Sequence, residues 1–143
     1  MIRYFAYGSN LDADQMRERC PSSAPLFRAR LEGYRLDFTH PSRRWSGGAA
    51  DVLPQVGECV WGCVYHLDAD DVRLLDHFEG GYERVTLEVI DDSGLGHAVL
   101  SYTVKTKQSL RPTLIYRDKL IHWGAHWQFP EDYLERLRRL QTL

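Results

Sequence analysis

The stretch that decides the fold is Tyr4-Phe5-Ala6-Tyr7-Gly8-Ser9-Asn10-Leu11. The apolar and aromatic residues over 2–7 predict a β-strand, and Gly8-Ser9-Asn10 breaks it before a helix that begins near Asp12. A turn between a strand and a helix leaves backbone N–H groups without partners, and such groups can hold a carboxylate or an oxyanion. The same pattern also fits an ordinary core strand that ends in a glycine turn, so the rest of the chain has to decide.

The composition is that of one globular domain. The chain has 143 residues, of which 43% are hydrophobic and 27% charged, and its formal net charge is −2. We expect a single domain over 1–143 and no nucleic acid or membrane as partner. No segment has the pattern of a membrane span or a signal peptide, and the three cysteines are an odd number, which does not predict a disulfide framework. These features favour a cytoplasmic protein with reduced thiols.

The N-terminal half of the sequence predicts strands and one short helix. The helix is expected over 12–19, with Asp12 as its N-cap. Partial alternation predicts a strand over 31–39, then a loop over 41–48. A short strand is expected over 49–53, ended by Pro54, and a more regular strand over 58–67.

The second half predicts a helix, a hairpin and two further helices. Acidic residues open the first helix at Asp68, and Gly80-Gly81 ends it. Its predicted apolar stripe consists of Val72, Leu74, Leu75 and Phe78. A hairpin is expected over 82–90 and 98–105, followed by helices that start near Pro112 and Pro130. This order lacks strict alternation and favours an α+β fold with a mixed or mostly antiparallel curved sheet.

Glu79 is the first candidate for chemistry. It stands at the C-terminal end of a predicted helix, where the helix dipole disfavours a carboxylate. Apolar neighbours such as Phe78 and Tyr82 would raise the pKa of Glu79 and suit it to proton transfer. A solvated glutamate at a helix end is the alternative.

Other candidate sites are weaker. His122 and His126 would share one face of a helix, which is half of a metal site, but no glutamate lies between them and no third ligand follows. We therefore predict no metal. Ser9 lacks the Gly-x-Ser-x-Gly pattern of an esterase nucleophile. The run Arg43-Arg44-Trp45 can hold an anion, although a solvated loop is the ordinary interpretation.

Several segments together resemble the γ-glutamylcyclotransferase family. They are 4–11, 29–31, 36–38, 45–50, 60–65, 75–80, 101–102, Tyr116 and 124–125. Each segment is short, but their order and spacing extend over nearly the whole chain. The resemblance implies an α+β fold built on a small mixed, mostly antiparallel β-barrel with flanking helices and a cavity at one end.

The resemblance also implies a reaction. Family members cleave γ-glutamyl amides when the α-amine attacks the γ-carbonyl of the same molecule, which releases 5-oxoproline and a free amine. Glu79 would be the acid–base residue. The residues implied to bind the substrate are Tyr4, Phe5, Ala6, Tyr7, Gly8, Ser9, Asn10, Tyr102 and Tyr116. The partner implied is a small γ-glutamyl molecule, with no metal or organic cofactor, and the protein is expected as a monomer or homodimer.

Two alternatives stay open at this point. One is a γ-glutamylamine cyclotransferase that has the same fold and glutamate but a different leaving amine. The other is a non-catalytic module that binds a small carboxylate. The Gly8-Ser9-Asn10 form resembles the branch that acts on γ-glutamyl amino acids, whereas the short connection over 79–82 leaves the preferred leaving group undecided.

Overall fold

The computed structural model describes residues 2–143, in which five strands close into a barrel. The elements in chain order are β1 (Ile2–Ala6), a short 3₁₀ turn (Ser9–Leu11), α1 (Ala13–Arg19), β2 (Ala24–Ser42), β3 (Gly47–Leu67), α2 (Ala69–Phe78), β4 (Tyr82–Ile90), β5 (Gly96–Val104), α3 (Leu114–His126) and α4 (Glu131–Arg138). The strand order around the barrel is β1-β3-β2-β4-β5. β1 pairs antiparallel with β3 and parallel with β5, and the remaining pairs are antiparallel. The predicted α+β barrel with flanking helices is confirmed.

The hairpin of β2 and β3 is longer than the sequence predicted. Its ladder runs from Ala24 opposite His66 to Ser42 opposite Gly47, so the predicted loop over 41–48 shrinks to a turn over 43–46. The prediction that Pro54 ends a strand is wrong. Pro54 sits beside a register shift between Glu32 and Tyr34, where the ladder is locally interrupted and a missing N–H is tolerated.

The barrel interior is filled by side chains from every second position of the strands. Phe5, Val60 and Val64 are completely buried, and Leu31 and Val99 nearly so. Side chains alternate between the two faces of a strand, so these residues form one continuous core inside the barrel. The cavity described below therefore lies at one end of the barrel and not along its axis.

The helices are fixed at the outside by caps and by apolar packing. The carboxylate of Asp12 accepts hydrogen bonds from the backbone N–H groups of Asp14 and Gln15, both at 3.0 Å, which confirms it as the N-cap of α1. Asp68 and Asp71 form a reciprocal capping box at the start of α2. α1 and α2 contact each other, and they bring Arg19 and Glu79 to the same end of the barrel.

The predicted apolar stripe of α2 is only partly correct. Val72 and Leu75 are buried, whereas Leu74 and Phe78 are 43% and 45% exposed. The helix is only ten residues long and buries a narrow face. Phe78 instead borders the cavity, with the Arg19 guanidinium carbon 4.8 Å from the centre of its ring.

The two C-terminal helices pack against each other beside the barrel. α3 begins after Thr113, which caps it, and continues to His126. At the contact, Gly124 lies so close to Leu134 of α4 that a Cβ on it would be 2.8 Å from a Leu134 methyl group. None of the helices within 2–143 combines the length and the apolar character that a membrane crossing requires.

Candidate active site

A cavity of about 120 Å³ opens at the end of the barrel where β1 leads into the 3₁₀ turn. This space is several times larger than a single water molecule needs, so it can accept a small ligand. The turn after β1, the C-terminal end of α2, the β2–β3 turn, and single tyrosines from β4, β5 and α3 form its walls. Segments distant in the sequence therefore meet around one small space.

Glu79 is the only carboxyl group in the wall of this cavity among the described residues. It caps α2, and its backbone N–H donates to the carbonyls of Leu75 at 3.1 Å and Asp76 at 3.2 Å. Burial raises the pKa of Glu79 to about 7, the positive charge of Arg19 opposes that rise, and the negative charge of Asp76 adds to it. The protonated and ionised forms are therefore both available near neutral pH.

Asn10 fixes the position of the Glu79 carboxyl group. Its Nδ2 group donates to Glu79 Oε1 at 3.3 Å and to Tyr4 Oη at 3.0 Å. Its Oδ1 atom accepts from Gln15 Nε2 at 2.9 Å and from Arg19 Nη1 at 3.1 Å. Since two donors hold the oxygen, the orientation of the amide is determined and its N–H groups face Glu79.

The structure places only part of the predicted binding segment at the cavity. Tyr4, Tyr7, Gly8, Ser9 and Asn10 line it.

Phe5 and Ala6 do not line it. They are 0% and 1% exposed and pair with Val64 and Cys63 of β3. The alternation of side chains along β1 turns Phe5 into the barrel core, and Ala6 lies tightly against Gly62 of β3. These two residues hold the segment in place and do not touch the cavity.

The turn at Gly8 leaves little room for a side chain. A Cβ on Gly8 would lie 3.0 Å from the Cβ of Ala50 and 3.2 Å from Tyr116 Oη. Tyr116 reaches this turn from α3, and its hydroxyl oxygen accepts the backbone N–H of Ala50 at 3.0 Å. Gly8 therefore permits the close approach of the β2–β3 hairpin and α3 to the turn beside the cavity.

Tyr102 enters the cavity wall from β5 and is tied to α2. Its hydroxyl donates to Asp76 Oδ1 at 2.5 Å, and its backbone carbonyl accepts the Tyr7 hydroxyl at 2.6 Å. Arg84 of β4 donates to the same carboxylate through Nε at 2.8 Å and through Nη2. The hydrogen bonds from Arg84 and Tyr102 hold the pKa of Asp76 below its ordinary value, so Asp76 is ionised at neutral pH.

Several cavity residues carry no local sequence signal. Arg19, His40 and Ser42 line the cavity although no motif pointed to them, and Tyr82, expected as an apolar neighbour of Glu79, lines it too. The first three side chains reach the cavity only through the packing of α1 and β2, which periodicity cannot reveal. For Arg19 the one available hint is its position one helical turn after Gln15, on the same face of α1.

The Arg43-Arg44-Trp45 turn borders the cavity, whereas its ordinary interpretation was a solvated loop. Arg44 and Trp45 line the cavity, and the Arg44 guanidinium carbon lies 5.2 Å from the centre of the Trp45 ring. The Lys119 ammonium group lies 4.8 Å from the same ring, on α3. The indole thus contacts two cationic groups, of which Arg44 lines the cavity and Lys119 pairs with Asp12.

The histidines of α3 lie elsewhere. His122 and His126 are exposed, flank Trp123 and do not line the cavity. Over residues 2–143, no cluster of three or more His, Cys, Asp or Glu side chains has the geometry to hold a metal ion.

Comparison with known proteins identifies the family to which a chain with this cavity belongs. A model of the family described as "Gamma-glutamyl cyclotransferase, AIG2-like" matches residues 4–121. The chain belongs to this family. It is an enzyme of the γ-glutamylcyclotransferase type, and its matched region includes every cavity residue named above.

Individual relatives agree with the family match. Gamma-glutamylcyclotransferases of Mus musculus and Homo sapiens are each 33% identical over 147 residues, which cover 96% of this chain and 78% of the relative. A solved structure named gamma-glutamyl cyclotransferase superposes with a TM-score of 0.95 at 29% identity, covering 99% of this chain and 89% of that chain. YkqA of Bacillus subtilis superposes with a TM-score of 0.80 at 26% identity, covering 99% of this chain and 56% of its own.

Proposed function

We propose that this family member cleaves γ-glutamyl amino acids and amides by cyclisation, releasing 5-oxoproline and a free amine or amino acid. One observation carries the proposal: a carboxyl group with a pKa of about 7 faces a small cavity and is held by Asn10. A group whose pKa lies near the working pH can both accept and donate a proton. A binding module has no need for such a group.

Glu79 would perform the proton transfers in sequence. The ionised carboxylate takes one proton from the substrate's α-ammonium group, and the freed amine attacks the γ-carbon. The acid form then protonates the leaving nitrogen, and the bond between the γ-carbon and that nitrogen breaks. The regenerated carboxylate takes the second proton from the ring nitrogen and passes it to the released amine or to solvent. The products are 5-oxoproline and the amine, with no water consumed and no covalent enzyme intermediate.

The remaining task of the site is to fold the substrate. Nucleophile and electrophile belong to one molecule, so catalysis depends on holding the near-attack conformation and excluding water. The turn at Gly8 and Ser9 brings backbone close to the cavity, where N–H groups can bind the α-carboxylate or the oxyanion. Tyr102 and Tyr116 would contact the ligand from the opposite walls. No group in this scheme requires a metal or an organic cofactor.

The charges of the cavity support an amino acid as leaving group. Arg19 and Arg44 line the cavity with two guanidinium groups, against one carboxyl group from Glu79. A γ-glutamyl amino acid has two carboxylates and one ammonium group, whereas γ-glutamyl-ε-lysine has no net charge. The excess of positive charge therefore favours the former over the γ-glutamylamine alternative.

The test is release of 5-oxoproline from γ-glutamyl-alanine, γ-glutamyl-ε-lysine and glutathione. We expect γ-glutamyl-alanine to be the best substrate of the three. Glu79→Gln should lower kcat by about 10²–10⁴-fold or more, because the amide can neither take nor return the proton. Glu18→Gln changes an exposed carboxylate on α1 and should leave kcat unchanged.

The outcomes separate the candidate functions. A wild-type rate in Glu79→Gln would remove Glu79 from the mechanism. Tight binding of a γ-glutamyl compound without release of 5-oxoproline would favour the non-catalytic module.

We also propose the compartment in which the enzyme works and its oligomeric state. The three cysteines are free thiols, which supports a reducing compartment such as the cytoplasm. We propose a monomer or a homodimer, which light scattering of the purified protein distinguishes.

A further inference from the structure

The hydrogen bonds of the cavity tyrosines run in different directions. A phenol has one proton to donate and lone pairs to accept with. The Tyr102 proton is already used, because it points at Asp76 Oδ1 at 2.5 Å. A carboxylate has no proton of its own, and Arg84 keeps this one ionised from the other side, so the direction of the Tyr102 bond cannot reverse. Towards the cavity, Tyr102 can act only as an acceptor.

Two other tyrosines have the opposite direction. The Tyr116 oxygen accepts the backbone N–H of Ala50, and the Tyr4 oxygen accepts the Asn10 amide, both at 3.0 Å. Each of these hydroxyl groups therefore keeps its proton for another partner. Of these three hydroxyls, Tyr102 on β5 is an acceptor towards a ligand, and Tyr4 on β1 and Tyr116 on α3 are donors. The Tyr7 and Tyr82 hydroxyls also line the cavity, but they donate to backbone carbonyls and not to a carboxylate.

We propose that Asp76 is a positioning residue that fixes the Tyr102 hydroxyl as the acceptor for the substrate's α-nitrogen. The inference rests on the proposed function and assigns separate roles to Glu79 and to these three tyrosine hydroxyls. Glu79 removes one proton from the α-ammonium group, and Tyr102 holds a remaining N–H. Tyr4 and Tyr116 donate to the oxygens of the substrate.

The direction of the Tyr102 bond matters for the attack. Once Glu79 has taken its proton, the α-amine has one lone pair, and this lone pair has to point at the γ-carbon. An acceptor at Tyr102 binds an N–H and leaves the lone pair free. A donor hydroxyl at the same place would bind the lone pair and hold it away from the carbonyl. Asp76 thus acts through Tyr102 on the orientation of the nucleophile.

The test compares two ligands that differ only in the α-amino group. L-Glutamine carries the α-ammonium group, and glutaramate is the same molecule without it. Calorimetry should show that Tyr102→Phe weakens binding of L-glutamine about tenfold and leaves glutaramate binding within twofold. Asp76→Asn should have the same selective effect, because the Asn amide can donate to Tyr102 and turn its hydroxyl around. Asp70→Asn, an exposed carboxylate on the same helix, should change neither.

Turnover provides the second readout. At pH 8.5, where Glu79 is ionised in all variants, Tyr102→Phe and Asp76→Asn should each lower kcat about tenfold. The double variant should lie within threefold of Tyr102→Phe alone. At this pH the effect of Asp76 on the pKa of Glu79 no longer changes the charge of Glu79, and the proposed role of Asp76 runs through the Tyr102 hydroxyl.

The results distinguish this inference from the proposed reaction. Selective loss of L-glutamine binding supports the inference even if no 5-oxoproline is ever released. Equal loss of both ligands, no loss of either, no binding of L-glutamine to the wild type, or independent effects of the two substitutions would overturn it.

Discussion

At the scale of single residues, the Glu79 carboxyl group, which we propose as the acid–base group, also destabilises the fold. Its pKa rises from an ordinary 4.5 to about 7 in the folded protein, mainly because burial disfavours the charged form. Below pH 4.5 the group is protonated in both states and costs nothing. The cost grows as pH rises from 4.5 to 7 and is complete above 7.

We therefore predict a pH-dependent gain in stability from Glu79→Gln. The variant should be more stable than the wild type at pH 8.5, by at most about 3–4 kcal/mol, and nearly equal to it at pH 4. Urea titrations at the two pH values measure the difference. A gain of the same size at both would mean that ionisation of Glu79 is not its cause. In the wild type, kcat/KM should fall as pH drops below about 7, because the base becomes protonated.

Cavity residues could be predicted from the sequence where a local sequence pattern marks them. Glu79 was marked by an unfavourable charge at a helix end, and Gly8 by a break between a strand and a helix. Phe5 and Ala6 were assigned to binding as part of a contiguous segment, but alternation turns Phe5 into the barrel core and Ala6 packs against Gly62. Arg19 and His40 were missed because only tertiary packing brings them there.

At the scale of elements, the connection between α2 and β4 depends on one of its two glycines. Gly81 has a φ of 88°, and a Cβ on it would lie 2.3 Å from His40 Cε1. Gly80 has no atom within 4 Å of such a Cβ. The two neighbours are thus a natural matched pair for substitution.

We predict that Gly81→Ala destabilises the protein by about 1–3 kcal/mol, through backbone strain and the clash with His40. It should also lower kcat, since the same connection carries Glu79. Gly80→Ala should change the free energy of unfolding by less than about 0.5 kcal/mol. Thermal unfolding of both variants is the measurement. Equal destabilisation would show that the position of His40 does not constrain this turn.

Element types were predicted better than element lengths. The patterns gave the helices and the β4–β5 hairpin, since their periodicity and end signals are local. The length of β2 and the passage of β3 through Pro54 were missed. A register shift depends on how two strands pair, and neither strand alone encodes it.

At the scale of the whole molecule, a buried carboxylate joins three strands of the barrel. Asp51 of β3 is 0% exposed, and its oxygens accept from Thr39 Oγ1 of β2 at 2.8 Å and from the backbone N–H of Val104 of β5 at 3.1 Å. Lys107 neutralises it, with Nζ 2.7 Å away. The charge is therefore buried, paired and hydrogen-bonded.

We predict that Lys107→Met costs about 3 kcal/mol of stability, because it leaves the buried Asp51 charge without its partner. Lys105→Met removes an exposed lysine two residues earlier and should cost less than about 0.5 kcal/mol. Chemical denaturation of the two variants checks this. A small effect of Lys107→Met would mean that the hydrogen bonds of Asp51 are sufficient without the ammonium group.

The closure of the barrel also has a consequence for how the molecule folds. β1 pairs with Leu67 at its start and with Leu100 at Tyr4, so its neighbours are far away along the chain. Loop-closure entropy makes such distant pairings slow to form, and local hairpins such as β4–β5 precede them. The segment that follows β1 carries Gly8, Ser9 and Asn10. The pocket therefore forms only when β1 has paired with β3 and β5 and the barrel is closed. During refolding, recovered turnover would then time the completion of the barrel, later than the appearance of secondary structure.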